Sequence, residues 1–177
     1  MFPYYKYNFQ SGPVQKSQIN NNFKFGNCRL AIQLYFYHQY NLYLPPNKIL
    51  LPEAYKETGS FIAKDLKKEN IFEKARTGDI IYAERLKNSK GKLCYKKKTD
   101  FKNEDEWILY FHTAIYLNKI SKNQIKQLSA KYNISNIHTD EPIIWHASSI
   151  DNGTCFWNIE KFLQYYQPKA IKRILSK

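Results

Sequence analysis

Cys28 follows Gly26-Asn27 and opens the apolar run from Leu30 to Tyr37. Asn27 is a good helix N-cap, because its side-chain oxygen can accept one of the free N–H groups that begin a helix. The Cys28 sulfur is therefore expected in the first turn, where unpaired N–H groups and the positive end of the helix dipole favour a thiolate. Far along the chain, His112 and His146 each sit in an apolar stretch that reads as a β-strand, Phe111 to Leu117 and Ile143 to Ser148. A helix-start thiol with a strand-borne imidazole is suited to nucleophilic catalysis. In that scheme Cys28 attacks an amide or ester carbonyl, and His112 takes and returns the proton. The N–H of Cys28 faces the oxyanion, and His146 fixes the tautomer of His112.

Elements that could position these groups can be read from pattern. The helix starting after Asn27 is apolar on nearly all sides, which predicts burial, and Leu44-Pro45-Pro46 bounds it downstream. Residues 47–77 carry charges at helical spacing and predict one or two short helices. Thr77-Gly78-Asp79 predicts a turn into a strand over 80–85. Further strands are expected over 108–118, 142–148, 153–158 and 168–175, a helix within 119–138, and a short helix over 159–165 capped by Asn158. Residues 1–24 read as an arm on a single domain formed by 25–177. One helix followed by several adjacent strands predicts an α+β fold with a mostly antiparallel sheet.

Composition narrows the classes of function. The 177-residue chain carries a net charge of +13, which favours anionic partners. Between Leu86 and Lys102 there are seven lysines and one acid, Asp100. This 86–102 segment predicts an exposed hairpin that could contact a polyanion such as nucleic acid, with Tyr95 and Phe101 as rings for stacking. Three scattered cysteines form no CxxC pair, so neither a disulfide framework nor a zinc ribbon is expected. No cofactor or metal motif is visible. The N-terminus has no apolar signal-peptide core and no run is long enough to span a bilayer, which predicts a cytoplasmic protein.

The order of these motifs resembles the NlpC/P60 cysteine peptidases, a compact branch of the papain-like fold. Gly26-Asn27-Cys28 and its helix resemble the family's nucleophile helix, and Asn41 to Pro46 its post-helix Leu-Pro segment. Ala75 to Tyr82 resembles its Pro-Gly-Asp strand entry. His112-Thr113-Ala114-Ile115-Tyr116-Leu117 resembles its histidine strand, and Trp145-His146-Ala147-Ser148 its Ile-His-Ala-Ser strand. The resemblance covers roughly residues 26 to 175 and implies an N-terminal nucleophile helix packed on the sheet. It implies Cys28 as nucleophile, His112 as general base and His146 as the orienting residue, with Asn27, Arg29 and Trp145 beside the substrate. Family members that cleave peptidoglycan carry Asp-Cys-Ser-Gly at the nucleophile, where this chain has Asn27-Cys28-Arg29-Leu30. A neutral Asn and a cationic Arg in those places disfavour an ammonium and favour an anionic group on a peptide or amide substrate.

Other assignments are weighed against these. Cys155 and His112 form an alternative pair, as in circularly permuted relatives, but Cys155 does not open a helix. Cys94 reads as an exposed loop thiol and Cys155 as core. His38 reads as structural, His138 as without a partner, and Asp151 as a second candidate for orienting His112. Trp107, Trp145 and Trp157 read as core or cleft-wall aromatics. The expected function is a cysteine-dependent peptidase or amidase. An acyltransferase or ester hydrolase, a delivered effector with the same centre, and a catalytically silent polyanion-binding scaffold are the alternatives.

Overall fold

A computed structural model describes residues 2–20, 22–46, 60–64, 72–94, 96, 98–100, 102, 112–129, 132, 137–138 and 141–175. Its elements are β1 (Lys6–Tyr7), β2 (Phe25–Gly26), α1 (Cys28–Tyr40), β3 (Ser60–Lys64), β4 (Ile80–Arg85) and β5 (His112–Leu117). They are followed by α2 (Lys122–Ser129), β6 (Ile143–Ser148), β7 (Gly153–Asn158), α3 (Ile159–Tyr165) and β8 (Tyr166–Arg173). The strands form one sheet in the order β2-β1-β7-β6-β5-β4-β8-β3. Every neighbouring pair is antiparallel except β1 with β2. The α+β class with a mostly antiparallel sheet is thus what the chain adopts.

Alternation along the strands divides the core in two. Ile80, Tyr82, Ile115, Leu117, Ile143, Trp145 and Phe156 pack with Leu30, Ile32, Leu34 and Phe36 of α1 on one face. Their neighbours Ile81, Ala83, Ala114, Tyr116, Ile144, Cys155 and Trp157 pack with Phe162 and Tyr166 on the other. Successive strand residues point to opposite faces, so a strand covered on both sides is apolar throughout. Burying each such Ile, Leu or Phe contributes about 1.5–3 kcal/mol.

Helix α1 begins and ends by local chemistry. Asn27 accepts from the N–H groups of Arg29 and Leu30, and Asn41, with φ of 52°, closes the other end in the left-handed conformation. Leu42 N–H donates to Phe36 O at 3.2 Å, completing the stop well before the prolines. Gln33 is fully buried in mid-helix and explains its own polarity. It accepts from Val14 N–H at 2.9 Å and donates to Val14 O and Leu44 O at 2.8 Å each. One side chain therefore ties both the N-terminal segment and the post-helix segment to α1.

Several expectations need correction. Residues 60–64 do not form a helix: they are the edge strand β3, antiparallel to β8. The charges at helical spacing are outweighed there by the open backbone edge of β8. Of the rest of 47–77, residues 72–77 form turns; 47–59 and 65–71 lie outside the described residues. The described part of the 1–24 arm lies on the domain and adds a strand to its sheet. Tyr5 O accepts from Thr154 N–H at 3.1 Å, Lys6 N–H donates to Lys24 O at 3.0 Å, and β1 joins the sheet between β2 and β7. β8 starts at Tyr166 rather than 168, and the shift in register between Tyr82 and Ala83 accommodates Pro168 opposite Ala83. The described part of the 108–118 strand is 112–117, and residues 108–111, Tyr95, Phe101 and Trp107 lie outside the described residues.

The lysine segment does start as a hairpin. Lys87 bridges Leu93, Asn88 Oδ1 accepts from Lys90 and Lys92 N–H, and Gly91 supplies a φ of 74°. No helix among the described residues is long and apolar enough to cross a membrane.

Replacing Gln33 by Leu should leave Val14 N–H and Leu44 O without their partners and Val14 O with the Tyr43 hydroxyl alone. The expected loss is roughly 2–4 kcal/mol, read as a lower urea midpoint at unchanged slope. A midpoint within error of the parent contradicts the tie.

Candidate active site

The site lies where α1 begins and where β4 and β6 end and β5 and β8 begin. Gly26 is needed at its entrance. A Cβ there would stand 2.6 Å from a Leu30 methyl and 2.7 Å from the Tyr5 ring. Tyr5 uses that closeness to donate its hydroxyl to Asn27 O at 2.7 Å. Asn27 caps the helix through Oδ1 and donates from Nδ2 to Phe9 O at 3.1 Å. Asn27, expected beside the substrate, has its side-chain amide engaged in holding the helix start.

His112 and His146 meet across β5 and β6. Ile115 lies opposite Trp145 in that pairing, which brings the start of β5 beside the end of β6 on the face covered by α3. His112 Nε2 lies 2.7 Å from His146 Nδ1, both rings buried. Tyr166 stacks on His112 at 4.1 Å and 16°, Phe162 flanks both rings, and Trp157 meets His146 edge-on at 4.5 Å. This apolar box sets the electrostatics. Burial holds His112 well below the usual imidazole range, helped by His146, Arg85 and Arg29. Burial pushes His146 down to about 3, against a raising contribution from Asp151.

Both rings are therefore neutral, and one proton lies between them. If His112 donates from Nε2, its Nδ1 carries a lone pair and can accept a proton from a thiol. His146 then accepts at Nδ1 and keeps its own proton on Nε2. His146 Nε2 has no hydrogen-bond partner among the described residues, and the Trp157 ring lies edge-on to it.

Asp151 stands one step behind. Its Oδ2 accepts from Trp157 Nε1 and lies 3.2 Å from Lys161 Nζ. Lys161 also lies over the Trp157 ring at 4.4 Å. Asp151 thus acts on His146 at a distance, and the direct partner of His112 is His146.

Cys28 sits at the same end of the sheet with 7% of its surface exposed. Its thiol makes no hydrogen bond to either histidine among the described residues. It shares two neighbours with His112. Tyr166 and Arg85 both interact electrostatically with Cys28, as do Tyr5 and Tyr7. Arg29 is 3% exposed and adds its charge beside His112.

Trp145 corrects another expectation. As the neighbour of His146 in a strand it points to the opposite face, where it is wholly buried against Phe2 and Tyr35. It presents nothing to a substrate. Cys155 is core: it is buried opposite His146, where burial and then Asp151 push its thiol well up. Cys94 is half-buried at the hairpin. His38 lies half-buried late in α1, away from the Cys28 end, and His138 is exposed. A cavity of about 640 Å³ lies at the far end of α1, lined by Tyr35, Tyr40, Leu117 and Ile120 among others, and does not open on Cys28. No group of three metal-ligating side chains is assembled among the described residues.

Sequence reading missed Arg85, Tyr7 and Tyr166. Arg85 carried a signal, since alternation along β4 places it on the same face as Ala83, which lies opposite His112. Tyr7 and Tyr166 carried none, because their places depend on pairings distant in sequence. Comparison with protein-family models and with curated proteins found no match.

The neutral pair makes stability depend on acid. Both histidines bind protons more weakly folded than at the unfolded value of about 6.5, so their stabilisation is complete above that pH and declines as pH falls toward 3. Between pH 7 and pH 5 the unfolding free energy should drop by about 2–4 kcal/mol. A double variant with His112→Gln and His146→Gln should lose most of that dependence in urea titrations. An equal dependence in parent and variant contradicts the neutral pair.

Proposed function

We propose that this chain is a cysteine-dependent hydrolase of the NlpC/P60 type, with a papain-like domain, acting on an amide bond. The observation that carries the reading is the 2.7 Å contact between His112 Nε2 and His146 Nδ1 at the sheet end where α1 starts with Cys28.

The chemistry follows from which nitrogen is occupied. His146 engages Nε2 of His112 and leaves Nδ1 for the thiol. The Cys28 proton passes to His112 Nδ1 as sulfur attacks the carbonyl carbon. The tetrahedral oxyanion takes the Cys28 backbone N–H. Collapse expels the amine, which receives the proton from His112 and leaves a thioester. Water, deprotonated by the same nitrogen, then hydrolyses that thioester. Reaction requires the thiol to close on Nδ1, and such bonds commonly tighten only in the substrate complex. His146 acts through His112: as an acceptor it fixes the productive tautomer and stabilises the imidazolium.

The amide-bond preference separates this reading from ester hydrolysis or acyl transfer, which the same centre could perform. A second reading, polyanion binding, draws on the exposed Lys90 and Lys92 of the hairpin. It predicts salt-steep nucleic-acid binding that survives Cys28→Ala.

The direct test screens a library of fluorogenic peptide amides with parent and variants. Cys28→Ala should abolish turnover, and His112→Ala should lower kcat by roughly 10²–10⁴. His146→Asn, which keeps an acceptor for His112, should retain more activity than His146→Leu. Turnover that persists in Cys28→Ala overturns the reading.

A further inference from the structure

Cationic and phenolic groups gather around Cys28 and His112. Arg85 ends β4 directly opposite Tyr166 of β8, and its guanidinium lies 6.0 Å from the Tyr166 ring centroid. That same ring stacks on His112 at 4.1 Å. Arg85 also interacts with the Tyr7 phenol, which in turn feels Cys28. Arg29, immediately after Cys28 at the start of α1, adds a second positive charge that acts on His112. Glu84, the residue before Arg85, lies on the other side of the strand and pairs with Lys169 at 3.2 Å. Beyond Arg85 the chain runs straight into the lysine hairpin, with Lys87 over Tyr165 at 5.9 Å.

We propose that Arg85, with Tyr7 beside it, receives a carboxylate carried by the substrate next to the bond that Cys28 attacks, so that the natural substrates are acidic amides. This rests on the cysteine-hydrolase reading and names its substrate class.

The positive charges of Arg85 and Arg29 oppose protonation of His112, yet attack by the thiol makes His112 an imidazolium. A carboxylate seated at Arg85 offsets those charges at the moment the proton moves from Cys28 Sγ to His112 Nδ1. Binding and activation would then come from the same contact, and neutral substrates would lose both. Arg suits the task because its planar fork matches a carboxylate and it stays charged at all working pH. The lysines of the hairpin extend the positive potential outward and would raise the encounter rate with acidic chains.

Small alkylating reagents of opposite character test this without knowing the substrate. Cys28 modification is followed by peptide mass spectrometry at pH 7 and low salt, with iodoacetate and with iodoacetamide. The same protein unfolded in urea gives the reference ratio. In the native protein the iodoacetate-to-iodoacetamide ratio at Cys28 should be about tenfold above that reference, as for one nearby opposite charge. Arg85→Gln should return the ratio to the reference, each rate being read against iodoacetamide in the same variant, and Arg85→Lys should retain part of the excess. A native ratio equal to the unfolded one, with Cys28 still reactive toward iodoacetamide, overturns the carboxylate site and leaves the hydrolase reading standing. A thiol inert to both reagents overturns the hydrolase reading and this inference with it.

Discussion

Two imidazoles 2.7 Å apart inside an apolar box can share one proton but cannot both be charged. The rest of the site is arranged around that constraint. Tyr166, Phe162 and Trp157 exclude water from the pair. The shared proton leaves one nitrogen of His112 unused by His146, and that nitrogen is the chemical opportunity. A single histidine would be free to rotate or to change tautomer; a pair locked across β5 and β6 is not. The box also imposes a cost, because forming an imidazolium within it is unfavourable unless a negative charge arrives nearby. A thiolate at Cys28 or a carboxylate at Arg85 would be that charge.

The scaffold is built to hold the helix start against the strand ends. Tyr5 and Gln33 act at two points along α1, one on Asn27 O and one on the backbone of Val14 and Leu44. Gly26 and Gly153 permit the close approach of Tyr5, since a Cβ on either would stand within 2.7 Å of it. At the far end of the sheet, Arg173 forks onto Asp79 at 2.9 and 2.7 Å and pins the turn that starts β4. The N-terminal segment thus supports the site from several directions: Phe2 packs on Trp145 on the α1 face, Tyr5 braces the cap, and Tyr7 interacts with Arg85.

What could be read from the sequence was what is decided locally. Asn27 caps α1 and Asn158 caps α3 as read, because a cap needs only its own turn. Strands over 80–85 and 153–158 were legible from apolar content bounded by turns. The registers that join His112 to His146 and place Tyr166 on His112 link residues 34 and 54 positions apart and leave no local mark. Trp145, read both as a core aromatic and as a substrate neighbour, lies in the core on the face opposite His146, as strand alternation requires. β3 and β1 were missed for a related reason: both are short and exist because β8 and β7 offer open edges.

The most direct measurement is the rate of Cys28 alkylation by iodoacetamide across pH 5–9, in the native protein and in His112→Ala. If Cys28 works with the histidine pair, it will react faster below pH 7 than the same cysteine in the urea-unfolded chain, and His112→Ala will remove that advantage. A Cys28 whose rate follows the unfolded chain at every pH, or one unaffected by loss of His112, contradicts the account.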